Sequence, residues 1–222
     1  MKYPRRVQAH PDSLVFDLDG TLWDTTESCA VAWNNVLARL GIPYRLIVAE
    51  DVRVVTGKPH EECIRLTFQD LTEEQVLAIS EATMTEDNLV IASRGGTLYP
   101  GVFEGIQALR EKYRLFIVSN CQAGYIETFL RFSGLEAAFE DFECWGQTGL
   151  SKAENLRLIL DRNNATAAAM VGDTEGDEAA AIACNIPFAF VSYGFGTGVS
   201  PDISFDSFEA LSAHFVSATR SV

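Results

Sequence analysis

The 222-residue sequence contains no apolar run approaching the ~20 residues that a membrane-spanning helix requires. Its opening, MKYPRRVQAH, has basic residues without the apolar stretch of a secretion signal, so a cytoplasmic location is expected. Basic charge is scarce: 17 Lys and Arg against 31 Asp and Glu leave a formal net charge of −14. Nucleic acid and anionic lipid are therefore not expected partners, because both are gripped by clustered cations. Any anionic ligand must be held by a few local ones. Cys29, Cys63, Cys121, Cys144 and Cys184 are odd in number, scattered and never arranged as CxxC, which argues against a disulfide framework or structural zinc. They read as reduced and packed. His10, His60 and His214 are isolated, and their spacing outlines no metal site.

Apolar residues are not lacking. At 47% of the chain they can build a sizeable core. SLVFDLD, RLFIVSN, AAAMVGD and FAFVSYG are continuous rather than alternating apolar runs, the pattern of strands covered on both faces by helices, hence of a mostly parallel sheet. Helical patterns (GVFEGIQALREKY, AGYIETFLRFSG, SKAENLRLILDRN) alternate with them. The segment 24–94 differs, offering about three helical stretches and no buried strand. RGGTLYPG then reads as a linker. The expected fold is α/β, a Rossmann-like three-layer core of residues 1–23 and 95–222 with an inserted all-helical cap domain over 24–94.

Open α/β sheets bind ligands at the carboxyl ends of their strands. The first run delivers Asp17 and Asp19 there, the second Ser119 and Asn120, and the third Asp173 with Asp177 close behind. Carboxylates gathered in one crevice repel unless a cation lies among them, and oxygen ligands without His or Cys select Mg²⁺. Ser151 and Glu154 form a capping box, placing Lys152 in a first helical turn, where the helix dipole does not favour a cation; it fits better as a partner of the carboxylates and of a bound anion. An aspartate with one oxygen on Mg²⁺ can attack phosphorus with the other, and an acid two residues later can protonate the leaving group. Ser119 and the backbone of Gly20 and Thr21 would bind the phosphoryl oxygens, with Asn120 beside them. In the helical segment, Lys58 of TGKPHEE can reach the far end of a substrate, ahead of Arg53 and Arg94. Trp23 and Trp33 are expected to pack between the helical segment and the core rather than against a ligand.

DLDGT at 17–21, Ser119, Lys152 and GDTEGD at 172–177 resemble, in order, the four motifs of the haloacid dehalogenase-like superfamily. YPGV and SYGFG are similar to segments of its phosphoglycolate phosphatase-like branch. The resemblance implies Asp17 as nucleophile and metal ligand, Asp19 as acid/base with its carbonyl on the metal, Asp173 as a further ligand, and Asp177 behind them orienting Lys152 or metal-bound water. The expected activity is Mg²⁺-dependent hydrolysis of a small phosphomonoester by a monomer or homodimer. The alternatives are a phosphomutase of the β-phosphoglucomutase type and a catalytically silent phosphate-binding member.

Overall fold

The structure, a computed structural model, describes residues 11–197 and 199–218. His10 and the opening segment lie outside them. Strand β1 (Ser13–Phe16) runs through β2 (Trp23–Asp24) into four helices: α1 (Thr26–Leu40), α2 (Ala49–Arg53), α3 (His60–Thr67) and α4 (Glu73–Arg94). The chain returns through β3 (Thr97–Leu98) and then alternates: α5 (Val102–Leu109), β4 (Arg114–Ser119), α6 (Tyr125–Ser133), β5 (Asp141–Cys144), α7 (Trp145–Thr148), α8 (Lys152–Arg162), β6 (Ala168–Gly172), α9 (Glu175–Cys184), β7 (Phe188–Val191), β8 (Ile203–Phe205) and α10 (Phe208–Ser217).

Six strands form one sheet in the order β5-β4-β1-β6-β7-β8, every pair parallel. The continuous apolar runs are explained by helices on both faces. Val15, Phe116, Val118 and Met170 join Leu156 and Ile159 of α8 in one buried cluster, while Leu14, Phe16, Ile117 and Val171 belong to the cluster on the other face. Alternate residues of each strand thus enter opposite cores, and neither face is polar. The strand order reverses at β1, where Phe16 is level with Ile117 of β4 and Val171 of β6. This register brings Asp17, Ser119 and Asp173 out at the same carboxyl edge, the switch point at which such sheets bind ligands.

The helical insertion follows its sequence signals closely. Helix α1 ends at Gly41, whose φ of 64° suits a left-handed cap. Helix α4 opens on a Thr72–Gln75 capping box and packs along α1. Two details differ from expectation. A fourth, short helix, α2, lies between α1 and α3. The linker is also not a plain loop: Trp23 pairs with Leu98 and Asp24 with Thr97, so the entry and exit of the insertion form one antiparallel ribbon. Strands β5 and β8 escaped the hydrophobic reading because they lie at the sheet edges. Acidic β5 is held by Arg162, which reaches Asp141 at 2.6 Å and Glu143 at 2.7 Å. All five cysteines are free and only Cys184 is not buried. Among the described residues no helix is long and apolar enough to cross a membrane.

Candidate active site

The turn after β1 is built around glycine. Gly20 has φ of 88°, and a Cβ there would meet the Asp173 carboxylate at 2.3 Å, so only glycine lets the two segments approach this closely. Thr21 Oγ1 donates to Asp173 Oδ1 at 3.0 Å, and the Phe195 backbone N–H donates to Oδ2 at 2.7 Å. The backbone N–H groups of Gly20 and Thr21, expected to bind phosphoryl oxygens, are instead committed to the carbonyls of Trp23 and Leu18, at 2.9 and 3.2 Å.

Asp17, Asp173 and Asp177 each bring a carboxylate oxygen within 4.8 Å of the others, all three buried. Lys152 Nζ, on the first turn of α8, donates at 2.7 Å to Asp17 Oδ1 and at 2.7 Å to Asp177 Oδ1. The other oxygen of Asp177 accepts from the Thr174 backbone N–H at 2.9 Å and from Thr174 Oγ1 at 2.6 Å. With three hydrogen bonds, that carboxylate holds Lys152 in place. Among the described residues only Oδ1 of Asp17 is hydrogen-bonded, and each oxygen of Asp173 carries one bond, so both side chains retain acceptor capacity.

One buried lysine stands among three buried carboxylates. Burial, reinforced by the charge of Asp177, pushes Asp17 well above the usual carboxylate range and Asp173 up to about 7. Burial opposes the charge on Lys152, but Asp17 and Asp177 outweigh it and keep the lysine protonated. The excess of buried anionic oxygen, without His or Cys, fits a hard divalent cation at Asp17 and Asp173.

Asp19 points elsewhere. Its Oδ1 lies 2.6 Å from the Tyr125 hydroxyl and 3.0 Å from Thr25 Oγ1, and those hydroxyls are themselves 2.6 Å apart. Three oxygens in mutual contact share only two hydroxyl protons, so a proton on Asp19 completes the triangle. Burial raises Asp19 to about 6 even though the Tyr125 and Thr25 bonds pull the other way.

A cavity of about 70 Å³ lies between the sheet edge and the insertion, lined by Asp17, Asp19, Ser119, Asn120 and Lys152 on one side and by Trp33, His60 and Asp87 on the other. Ser119 Oγ accepts from the Cys121 backbone N–H at 3.3 Å. Asn120 Nδ2 is committed to the Gly57 carbonyl at 2.8 Å, joining the core to the insertion. Lys58 also lines the cavity, but its Nζ pairs with Glu62 at 3.1 Å and the side chain is about half exposed. Trp23 is packed against Tyr125, Phe129 and Phe132 of the core helix α6, whereas Trp33 packs on Phe68 of the insertion and lines the cavity. Arg53 pairs with Asp24 at 2.7 Å and lies over the Phe195 ring, 4.8 Å from its centroid, fastening α2 to the core. Tyr125, Trp33 and Asp87 had no sequence signal of a place in the site: the helical pattern around Tyr125 and Trp33 marks burial alone, and Asp87 beside Glu86 has the pattern of a solvated acid.

An acid pair after a switch-point strand, a lysine bridging two carboxylates, and a helical insertion closing over both define a hydrolase of a recognisable class. A model of the haloacid dehalogenase-like hydrolase family matches residues 14–191, and the chain belongs to that family. It is similar to a plasmid phosphoglycolate phosphatase of Cupriavidus necator, 30% identical over 90% of this chain and 91% of that one. It is also similar to the pyrophosphatase PpaX of Listeria innocua, 31% identical over 74% of this chain and 76% of that one. Among solved structures, a haloacid dehalogenase-like hydrolase from Streptococcus pneumoniae superposes with a TM-score of 0.81 at 20% identity, covering 93% of this chain and 99% of the other, a likeness of fold.

Proposed function

We propose that this hydrolase is a Mg²⁺-dependent phosphatase that cleaves a small phosphomonoester through an aspartyl-phosphate on Asp17. The observation that carries the reading is the shared cavity: Asp17, with one carboxylate oxygen uncommitted, stands with Lys152, Ser119 and Asp19 around one small space. The names of the curated relatives support the phosphatase class, with phosphoglycolate and pyrophosphate as their substrates.

Asp17 attacks phosphorus, the bond from phosphorus to the ester oxygen breaks, and Asp19 gives its proton to the departing alkoxide. Asp19, now ionised, takes a proton from water. The water oxygen attacks the aspartyl-phosphate, the bond to Asp17 breaks, and inorganic phosphate leaves. Lys152 and the Ser119 hydroxyl bind phosphoryl oxygens, and Tyr125 and Thr25 aim Asp19. Mg²⁺ held by Asp17, Asp173 and the Asp19 carbonyl would offset charge on the transferring group. Residues 24–94 act as a cap domain on the β2–β3 ribbon, excluding bulk water when closed.

The test is phosphate release from a panel of esters with and without Mg²⁺, together with acid-quench trapping of a phosphorylated protein and mapping of the label. Label on Asp17 supports the reading. Mg²⁺-independent turnover, or isomerised product without inorganic phosphate, overturns it.

A further inference from the structure

The end of the cavity formed by the insertion is short of hydrogen-bond donors. Asp87 of α4 is 2% exposed and lines the cavity, and its Oδ1 has no hydrogen-bond partner among the described residues. Oδ2 has only a long contact, 3.4 Å, from Trp33 Nε1, while His60 Nδ1 lies 3.6 Å from it. His60 does not supply the missing proton. The Thr83 hydroxyl donates to the Ile79 carbonyl at 2.8 Å, so at its 2.9 Å contact with His60 Nε2 it can only accept. The proton of a neutral imidazole is therefore on Nε2, and Nδ1 turns an acceptor toward Asp87. Burial lowers His60 to about 4, which keeps it neutral near pH 7.

Burial pushes Asp87 well above the usual carboxylate range, because its charge is costly out of water with one oxygen unbonded among the described residues and the His60 acceptor nearby; a cation bound there would favour the charged form. Neither lysine of the cavity supplies one: Lys152 is engaged by Asp17 and Asp177, and Lys58 by Glu62. We infer that the substrate is a short phosphate monoester with an ammonium group at the end away from phosphorus, and that Asp87 binds that ammonium. This rests on the phosphatase reading above and names its substrate class. An ammonium brings three donors and one positive charge to a site holding a free carboxylate oxygen and an imidazole acceptor. A terminal carboxylate there would put two anions together out of water. Size agrees: about 70 Å³ holds a phosphate and a short organic group, whereas drug-sized ligands occupy roughly 300 Å³ or more.

The experiment compares kcat/KM of the full-length protein with Mg²⁺ on 2-aminoethyl phosphate, 2-hydroxyethyl phosphate, ethyl phosphate and 2-phosphoglycolate, followed by phosphate release. The expected result is at least ~10²-fold preference for 2-aminoethyl phosphate over each of the others, since a site with an unmet polar group rejects ligands that leave it unmet. Asp87→Asn should shrink that preference to below about tenfold. Equal turnover of the aminoethyl and hydroxyethyl esters, or faster turnover of 2-phosphoglycolate, overturns the inference and leaves the phosphatase reading standing. A preference that survives in Asp87→Asn overturns the role of Asp87. Hydrolysis of other phosphate esters but none of these four overturns the inference alone, and no Mg²⁺-dependent hydrolysis across the wider panel overturns the reading beneath it as well.

Discussion

At the sheet edge each carboxylate has a partner fixed by the backbone that carries it, whereas at the insertion end Asp87 keeps an oxygen with none among the described residues. Asp17 and Asp173 follow strands held on both sides by parallel neighbours. Asp87 stands on a helix of an insertion joined to the core by a two-stranded ribbon and a few polar contacts. The contrast separates two tasks. A rigid edge holds charge for the chemistry, which is the same for every phosphate ester, and a separately attached wall can change its polar groups without disturbing that geometry.

The comparison breaks most sharply at Asp17. Asp17→Asn keeps the shape and removes the proposed nucleophile, so kcat should fall by at least ~10³ with the fold retained by circular dichroism. If activity survives, the sheet edge is not the reacting end. Lys152→Met comes next: it leaves Asp17 and Asp177 buried without their cation, and the expected loss is about 3–5 kcal/mol in denaturant unfolding, along with most of the turnover. An equal loss on Asp87→Asn would mean that the two ends are not built differently.

Charge at the sheet edge also gives a pH signature. Asp17 and Asp173 are raised in the fold, Asp173 from 3.8 to about 7, so their contribution is complete below the unfolded value and is lost as pH rises through the folded one. The metal-free protein should therefore lose thermal stability between about pH 4 and pH 7. His60, lowered from 6.5 to about 4, works against this over that range by favouring unfolding as pH falls. The difference between melts with and without Mg²⁺ isolates the carboxylates: the gain should be larger above pH 7 than near pH 5, reaching about 2.7 kcal/mol at a hundredfold excess over Kd, roughly 5–10 °C. A gain independent of pH would remove these carboxylates from metal binding. The smallest effect is expected at Arg53, the exposed clasp between α2 and Phe195. Arg53→Ala should raise KM a few-fold, leave kcat near wild type and change stability by no more than about 1 kcal/mol.

Much of the catalytic end was legible beforehand because it is encoded locally. An apolar run that stops at an acid predicts a strand end, and β1, β4 and β6 stop at Asp17, Ser119 and Gly172–Asp173. Lys152 followed from a capping box four residues long, and Ser151 and Glu154 form it. The gathering of Asp17, Asp173 and Asp177 followed from the rule for parallel sheets. The edge strands did not show: a strand with one neighbour need not be apolar, and β5 carries Asp141 and Glu143 for Arg162. Nor did the second wall. In TEDNLVIAS, Asp87 has the pattern of a solvated acid beside Glu86, yet Glu86 reaches Arg39 at the surface and Asp87 is buried against Trp33.

By itself the sequence determined the alternation of strand and helix, the site of the insertion, and the acids and lysine delivered to one sheet edge, because periodicity and caps act between residues close along the chain. Tertiary structure alone decided which carboxylates share Lys152, that Tyr125 and Thr25 hold Asp19, and that Asp87 is enclosed with an oxygen that has no partner among the described residues. Those outcomes depend on the distance between helices and strands far apart in the chain, and a local pattern records that a side chain is buried without recording what it meets there.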